Sequence, residues 1–166
     1  CTVLENIYVN AANLYFTSVD GVLYSTDAKM LVKYPVGRIG AFDMTGEIFA
    51  STVGIGANAF TNAVGLNQIV LPGSLMVIDS AAFTNCTKLN TVEFTGKVPP
   101  VLMVVGIFDT SVEEFKMVIP TDDSAVVTAY LCAYNFGEYE PYIDLNGNAA
   151  PSADTPRNQV SLENLN

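Results

Sequence analysis

The 166-residue chain contains no histidine. Without an imidazole, neither a Ser-His nor a Cys-His arrangement can activate a nucleophile, and most hydrolase mechanisms fall with that loss. Cysteine is scarce as well. Cys1, Cys86 and Cys132 show no C-x-x-C spacing, so structural zinc is set aside, and their odd count defines no disulfide framework. No metal and no cofactor are expected. Basic residues number seven against 17 acidic ones, a formal charge of −10 that repels phosphate backbones and anionic lipid surfaces alike. Nucleic acid is therefore a poor partner. Long apolar runs are missing too. The longest, Val98–Phe108, holds two prolines and a glycine and falls far short of the roughly 20 residues of a membrane helix, so no transmembrane segment is expected.

What the chain does have is apolar content. Half its residues are apolar and only 14% are charged, enough to bury a core in one domain. It also repeats itself. "IGANAFTNAVGLNQIVL" (Ile55–Leu71) and "IDSAAFTNCTKLNTVEF" (Ile78–Phe94) match without a gap at a spacing of 23 residues. Ile55 matches Ile78, Phe60 matches Phe83, Leu66 matches Leu89 and Ile69 matches Val92. A looser third copy places Phe108, Met117 and Ile119 25 residues after Phe83, Val92 and Phe94, with Pro120 matching Pro72. An earlier half-copy is "LENIYV", where Leu4, Ile7 and Val9 reproduce Leu66, Ile69 and Leu71.

Self-similarity at such a period marks a solenoid, whose units bury their apolar faces only by stacking on one another. The end of each unit, L-x-x-I-x-L, alternates as a half-buried strand does. The "IGANAF" part supplies the opposite wall, turning through Gly56-Ala57-Asn58 and inserting Phe60 into the core. The predicted fold is a mostly β member of the α/β class: a curved parallel sheet of stacked coils about 23 residues long.

The two phrases resemble the Ig-x-x-AF-x-x-C-x-x-L-x-x-I-x-L-P unit of BspA-like leucine-rich repeats, common in surface proteins of Bacteroides-type bacteria. "SVDGVLYSTDAKMLVKYP" (Ser18–Pro35) is similar to a β-hairpin often inserted in those proteins. "GKVPPVL" and "MVIPTDDSAVVTAYLCAYNFGEYEPYI" resemble their closing unit. The chain departs from the pattern at two places. Arg38–Val53 lacks the proline after its strand, and Glu114 falls where Leu66 and Leu89 stand. The resemblance implies an extracellular or cell-surface protein with an adhesion-type role and a protein or glycan ligand.

The expected organisation is a leucine-rich-repeat solenoid over 1–143, with an inserted hairpin at 18–35, the clearest repeats at 53–120 and a C-terminal cap at 121–143. Residues 144–166 have linker composition and are expected to dock. In the hairpin, Val19–Ser25 and Met30–Pro35 would join across "TDAK". In the cap, Asp122 or Asp123 would begin a short helix running to about Tyr134, packing Val126, Ala129, Tyr130 and Ala133 on the last coil. Cys1–Asn13 reads as the second half of a repeat whose first half lay upstream. A chain opening on cysteine also makes Cys1 a candidate lipidation site and a possible lipid anchor, against an ordinary chain boundary.

Other chemistry-bearing residues have plainer readings. Glu113-Glu114 and Asp122-Asp123 are adjacent carboxylates that point apart, as surface or capping residues do. A glycan hydrolase would need two acids about 5 to 10 Å apart, for which Glu47 or Glu93 with Glu138 are the pairs to inspect. "DLNGN" (Asp144–Asn148) resembles a calcium loop, but its glycine comes too early and Thr155 stands where an acid is required, so a turn or linker is preferred. Cys86 and the matching Ala63 fit a tight buried corner, and Cys132 is read as packing in the capping helix. There remains the outward face of the sheet. Asn6, Tyr8, Gln68, Val70, Thr91, Glu93, Lys116 and Val118 alternate with the buried positions and form the candidate binding stripe. A spacer within a larger secreted protein is the alternative function.

Overall fold

The computed structural model describes residues 3–121 and 123–145. The elements are β1 (Phe16–Val19), β2 (Val22–Ser25), β3 (Met30–Lys33), β4 (Gly40–Asp43), β5 (Gly54–Ile55), β6 (Leu66–Leu71), β7 (Val77–Ile78), β8 (Thr91–Phe94), β9 (Val101–Leu102), β10 (Lys116–Ile119), α1 (Ser124–Cys132), a 3-10 segment (Gly137–Tyr142) and β11 (Ile143–Leu145). They build two sheets. Sheet A has the order β1-β2-β3-β5-β7-β9, and sheet B the order β4-β6-β8-β10-β11. From β3 to β10 the chain alternates between them, so each turn contributes one short strand to each wall. Every pair from β3 onward is parallel.

The register follows the repeat. Ile69 pairs with Val92 and Val92 with Met117, while Leu71 pairs with Phe94. All five are buried between the walls. At the centre runs an aromatic ladder in which Tyr34 stacks on Phe60 at 4.8 Å, Phe60 on Phe83 at 4.8 Å, and Phe83 packs on Phe108 at 4.9 Å. Burying each such ring contributes about 1.5 to 3 kcal/mol, which one isolated coil could not realise. The corner beside the ladder needs left-handed backbone at Asn58 (φ 59°), Asn62 (φ 67°), Ala81 (φ 55°) and Asn85 (φ 59°). Asparagine tolerates this region better than most side chains, which accounts for three of the four. Asn85 Nδ2 also donates to Asn62 Oδ1 at 2.7 Å, joining adjacent turns.

Five expectations need correction. In the third copy, Phe115 and not Glu114 takes the core place of Leu66 and Leu89. The N–H groups of Leu66, Leu89 and Phe115 donate to Ala63, Cys86 and Val112 respectively, each three residues back, while Glu114 is exposed with φ 57°. A one-residue deletion between Phe115 and Met117 restores the register.

The half-copy at Leu4–Val9 forms no strand, and Leu4 is exposed. This segment is drawn off the sheet by other partners. Ile7 N–H donates to Gly21 O at 2.7 Å, Gly37 N–H donates to Leu4 O at 2.8 Å, and Arg38 Nε donates to Glu5 O at 2.8 Å.

The β-hairpin region also differs. β2 and β3 pair antiparallel across Thr26–Lys29, but β1 adds a further antiparallel strand through Asp20-Gly21, both at positive φ as a type I′ turn requires. β3 simultaneously pairs with β5, so it is also the first strand of the parallel stack.

After β10, Asp123 caps α1 by accepting from Ala125 N–H at 2.9 Å; Asp122 lies outside the described residues. The helix ends at Cys132, earlier than expected, because Ala133 is extended. Tyr130 is fully buried against Phe94, with Val126, Ala129 and Ala133 half-buried. Cys132 is exposed, so its reading as a packing residue fails. Phe136 and Tyr139 complete the covering of Phe94 and Phe108.

Candidate recognition surface

Because strand side chains alternate, the residues between the buried positions of sheet B point away from the core. Two rows run across the strands. Ala41, Gln68, Thr91 and Lys116 are consecutive partners in one, and Asp43, Val70, Glu93 and Val118 in the other, which runs on to Asp144, itself buried. Six of the eight predicted stripe residues therefore stand side by side. Among the described residues, the side chains of Gln68, Glu93 and Lys116 make no hydrogen bond, whereas Thr91 Oγ1 donates to Asn90 Oδ1 at 3.0 Å. The one ion pair among the described residues, Arg38–Asp20 at 3.4 Å, lies elsewhere. Gln68, Glu93 and Lys116 are thus uncommitted among the described residues.

Asn6 and Tyr8 are not part of the rows. Tyr8 is 82% exposed beyond the sheet. Asn6 borders a cleft of about 350 Å³ with Arg38, Ile39 and Ala41, at the β4 end of the first row. Its Oδ1 accepts from Arg38 Nη2 at 2.9 Å, and Arg38 also donates to Asp20 O, so this guanidinium anchors the N-terminal segment. Sequence reasoning missed Ala41 and Asp43. The signal was the alternation of Phe42 and Met44, whose burial matches Ile69 and Leu71, but Gly40 at the leucine position concealed it.

The other candidates are dispersed. Glu113 and Glu114 are exposed, Asp123 caps α1, and Glu138 Oε1 accepts Gly106 N–H at 2.6 Å on a different element from Glu47 and Glu93. No group of three or more Cys, Asp or Glu among the described residues is placed to hold a metal ion. Asn146–Asn148 of the calcium-like loop, residues 146–166 of the tail and Cys1 lie outside the described residues. Cys86 is buried with its Sγ directed at Phe60 O (3.2 Å), and burial pushes its thiol up to about 11. It is a corner residue rather than a nucleophile.

Comparison with known proteins agrees with this geometry. Residues 47–101 match the family model described as "BspA type Leucine rich repeat region (6 copies)". No curated protein matches the chain. Two solved structures share its fold. The pneumococcal vaccine antigen PcpA is 20% identical with a TM-score of 0.52 over 72% of this chain. A leucine-rich repeat protein from Eubacterium ventriosum is 21% identical with a TM-score of 0.52 over 74%. The chain spans 34% and 37% of their respective lengths. Over residues 47–101 the chain is thus similar to BspA-type leucine-rich repeats.

Proposed function

We propose that this chain is a non-catalytic recognition module of a cell-surface or secreted protein, binding a protein or glycan ligand on the outward rows of sheet B. The observation that carries the reading is the six-residue patch Gln68, Val70, Thr91, Glu93, Lys116 and Val118, held in register by three parallel strands. A regular backbone fixes the spacing of these groups before any ligand arrives, which lowers the entropic cost of binding. Their mixture of small polar, charged and β-branched side chains suits macromolecular contact. The net charge of −10 and the absence of histidine support a reading without nucleic acid or histidine-dependent catalysis. Among the described residues no helix is long and apolar enough to cross a membrane. Lipidation at Cys1 would supply an anchor.

The test is binding of the purified chain to an array of matrix proteins, mucins and glycans, beside the variant Gln68→Ala/Thr91→Ala/Lys116→Ala. Saturable binding that the variant loses supports the proposal. Saturable binding that the variant keeps overturns the assignment to sheet B, and no binding by the wild type favours a spacer instead.

A further inference from the structure

The two walls of the solenoid show different chemistry to solvent. On sheet A, Leu31, Ile55, Ile78 and Leu102 stand in register across β3, β5, β7 and β9, each 0% exposed and facing the core. The residues that alternate with them face outward. Met30, Gly54, Val77 and Val101 are consecutive partners in one outward row. Val32, Gly56, Asp79 and Met103 form the next, set by the bonds that Gly56, Asp79 and Met103 N–H donate to Leu31, Ile55 and Ile78 O. Sheet B turns Asp43, Glu93 and Lys116 to solvent. In the two rows of sheet A the one charged residue is Asp79, whose Oδ1 already accepts from Ser80 N–H at 2.6 Å.

Exposure in these rows rises toward β9. Met30, Val32 and Val77 are half-buried, and Met30 fills the space above Gly54, where a Cβ would meet its Sδ at 2.6 Å. Val101 and Met103 are 47% and 51% exposed. Met76, whose carbonyl accepts from Val101 N–H at 2.8 Å, is exposed beside them, as are Val98, Val104 and Val105 on either flank of β9. These six apolar side chains present several hundred Å² in one patch, which reaches the ~300 to 600 Å² of the largest patch on a typical monomer. It also approaches the ~800 Å² that each partner gives to a stable interface.

Charge decides the occupant. At a net charge of −10, a second copy is repelled from most of the surface. The acids stand away from this patch: Asp43 and Glu93 on sheet B, Glu113 and Glu114 before β10, and Asp123 at the start of α1. Two copies meeting sheet A to sheet A set those charges on their far sides and bring apolar rows against apolar rows. Such a face complements itself about a two-fold axis, where one patch serves both partners. A strongly charged partner finds no counter-charge there.

We propose that the outward face of sheet A around Val101 and Met103 is the interface of a two-fold dimer of this chain. In that dimer the outward rows of sheet B remain free on both outer sides, so the proposal stands or falls separately from the recognition reading.

The test is sedimentation velocity over a wide concentration range, under reducing conditions so that the exposed Cys132 does not join copies. The wild type is expected to pass from the mass of one copy to a plateau at two. Val101→Lys/Met103→Lys changes side chains that face solvent in the single copy. It should keep the wild-type circular-dichroism spectrum and sediment as one copy throughout. Should that variant lose its spectrum, Val98→Lys/Val105→Lys replaces it, both positions lying outside the strands and being 76% and 66% exposed. A wild type that stays at one copy at every concentration overturns the proposal. So does a mass that climbs past two copies without a plateau, or a dimer that a folded lysine variant retains.

Discussion

Phe60 and Phe83 stand 23 residues apart in the chain, yet their rings lie 4.8 Å apart and within 12° of parallel. That stack is the repeat expressed in space. Each ring fills the same place in its own turn, and turning the chain once lays one on the other. Phe83 is 1% exposed and touches rings on both sides. Phe83→Ala removes a central rung, and the expected loss is about 3 to 5 kcal/mol by urea denaturation. A loss comparable to a surface substitution would mean the ladder does not hold the turns together.

Ala81 occupies a left-handed corner that the preceding turn gives to Asn58. The alanine Cβ is unfavourable there, and asparagine relieves part of that strain. Ala81→Asn is therefore expected to stabilise by about 0.5 to 1 kcal/mol. A lower denaturation midpoint for the variant would show that Ala81 is required for contacts rather than tolerated.

Arg38 binds Glu5 O, Asn6 Oδ1 and Asp20 O, tying the N-terminal segment to the β1–β2 turn. With Arg38→Ala, hydrogen exchange at Ile7 N–H should accelerate while the amides of β6 and β8 stay protected. Equal acceleration throughout would make Arg38 a global rather than a local anchor.

Burial pushes the Tyr24 and Tyr34 hydroxyls from 10 up to about 12, the Thr52 hydrogen bond partly offsetting this at Tyr24 and the Arg38 charge at Tyr34. Burial raises those of Tyr130 and Tyr139 as well. A raised folded-state value means the unfolded chain ionises first. The stability these groups contribute is present below pH 10 and is lost as pH climbs through about 12. Denaturation midpoints should accordingly fall steeply across that alkaline window. Midpoints that stay level through it would contradict the burial of these hydroxyls.

Cys132 is exposed and Cys86 is buried with a thiol near 11. Alkylation of the native protein followed by peptide mapping should label Cys132 and spare Cys86 until denaturant is added. Labelling of native Cys86 at a similar rate would place the corner in exchange with an open state.

The parts of the fold legible in the sequence were those where the repeat is strict. Ile55, Phe60, Leu66 and Ile69 with their 23-residue counterparts marked both walls and the core, and alternation between them marked the outward stripe. Legibility ended where non-local partners override the local pattern. "LENIYV" has a strand's alternation, but Gly21, Gly37 and Arg38 offer its backbone other partners. Tyr34 enters the aromatic ladder from a segment that matches no repeat, because β3 serves a hairpin and the stack together. The hydrogen bonds by which Asn135, Glu138 and Tyr139 meet Leu102 O, Gly106 N–H and Phe108 N–H had no sequence signature, since side chains that meet a backbone need no repeat spacing of their own.

The measurement that tests the central claim most directly compares the two walls of the molecule. Affinity for the array member that the wild type binds would be determined for Gln68→Ala/Thr91→Ala/Lys116→Ala on sheet B and for Met76→Ser/Val101→Ser/Met103→Ser, exposed apolar residues at the sheet A wall. Both proteins should keep the wild-type circular-dichroism spectrum, with binding lost only in the first. Loss only in the second would move recognition to the other wall and contradict this account.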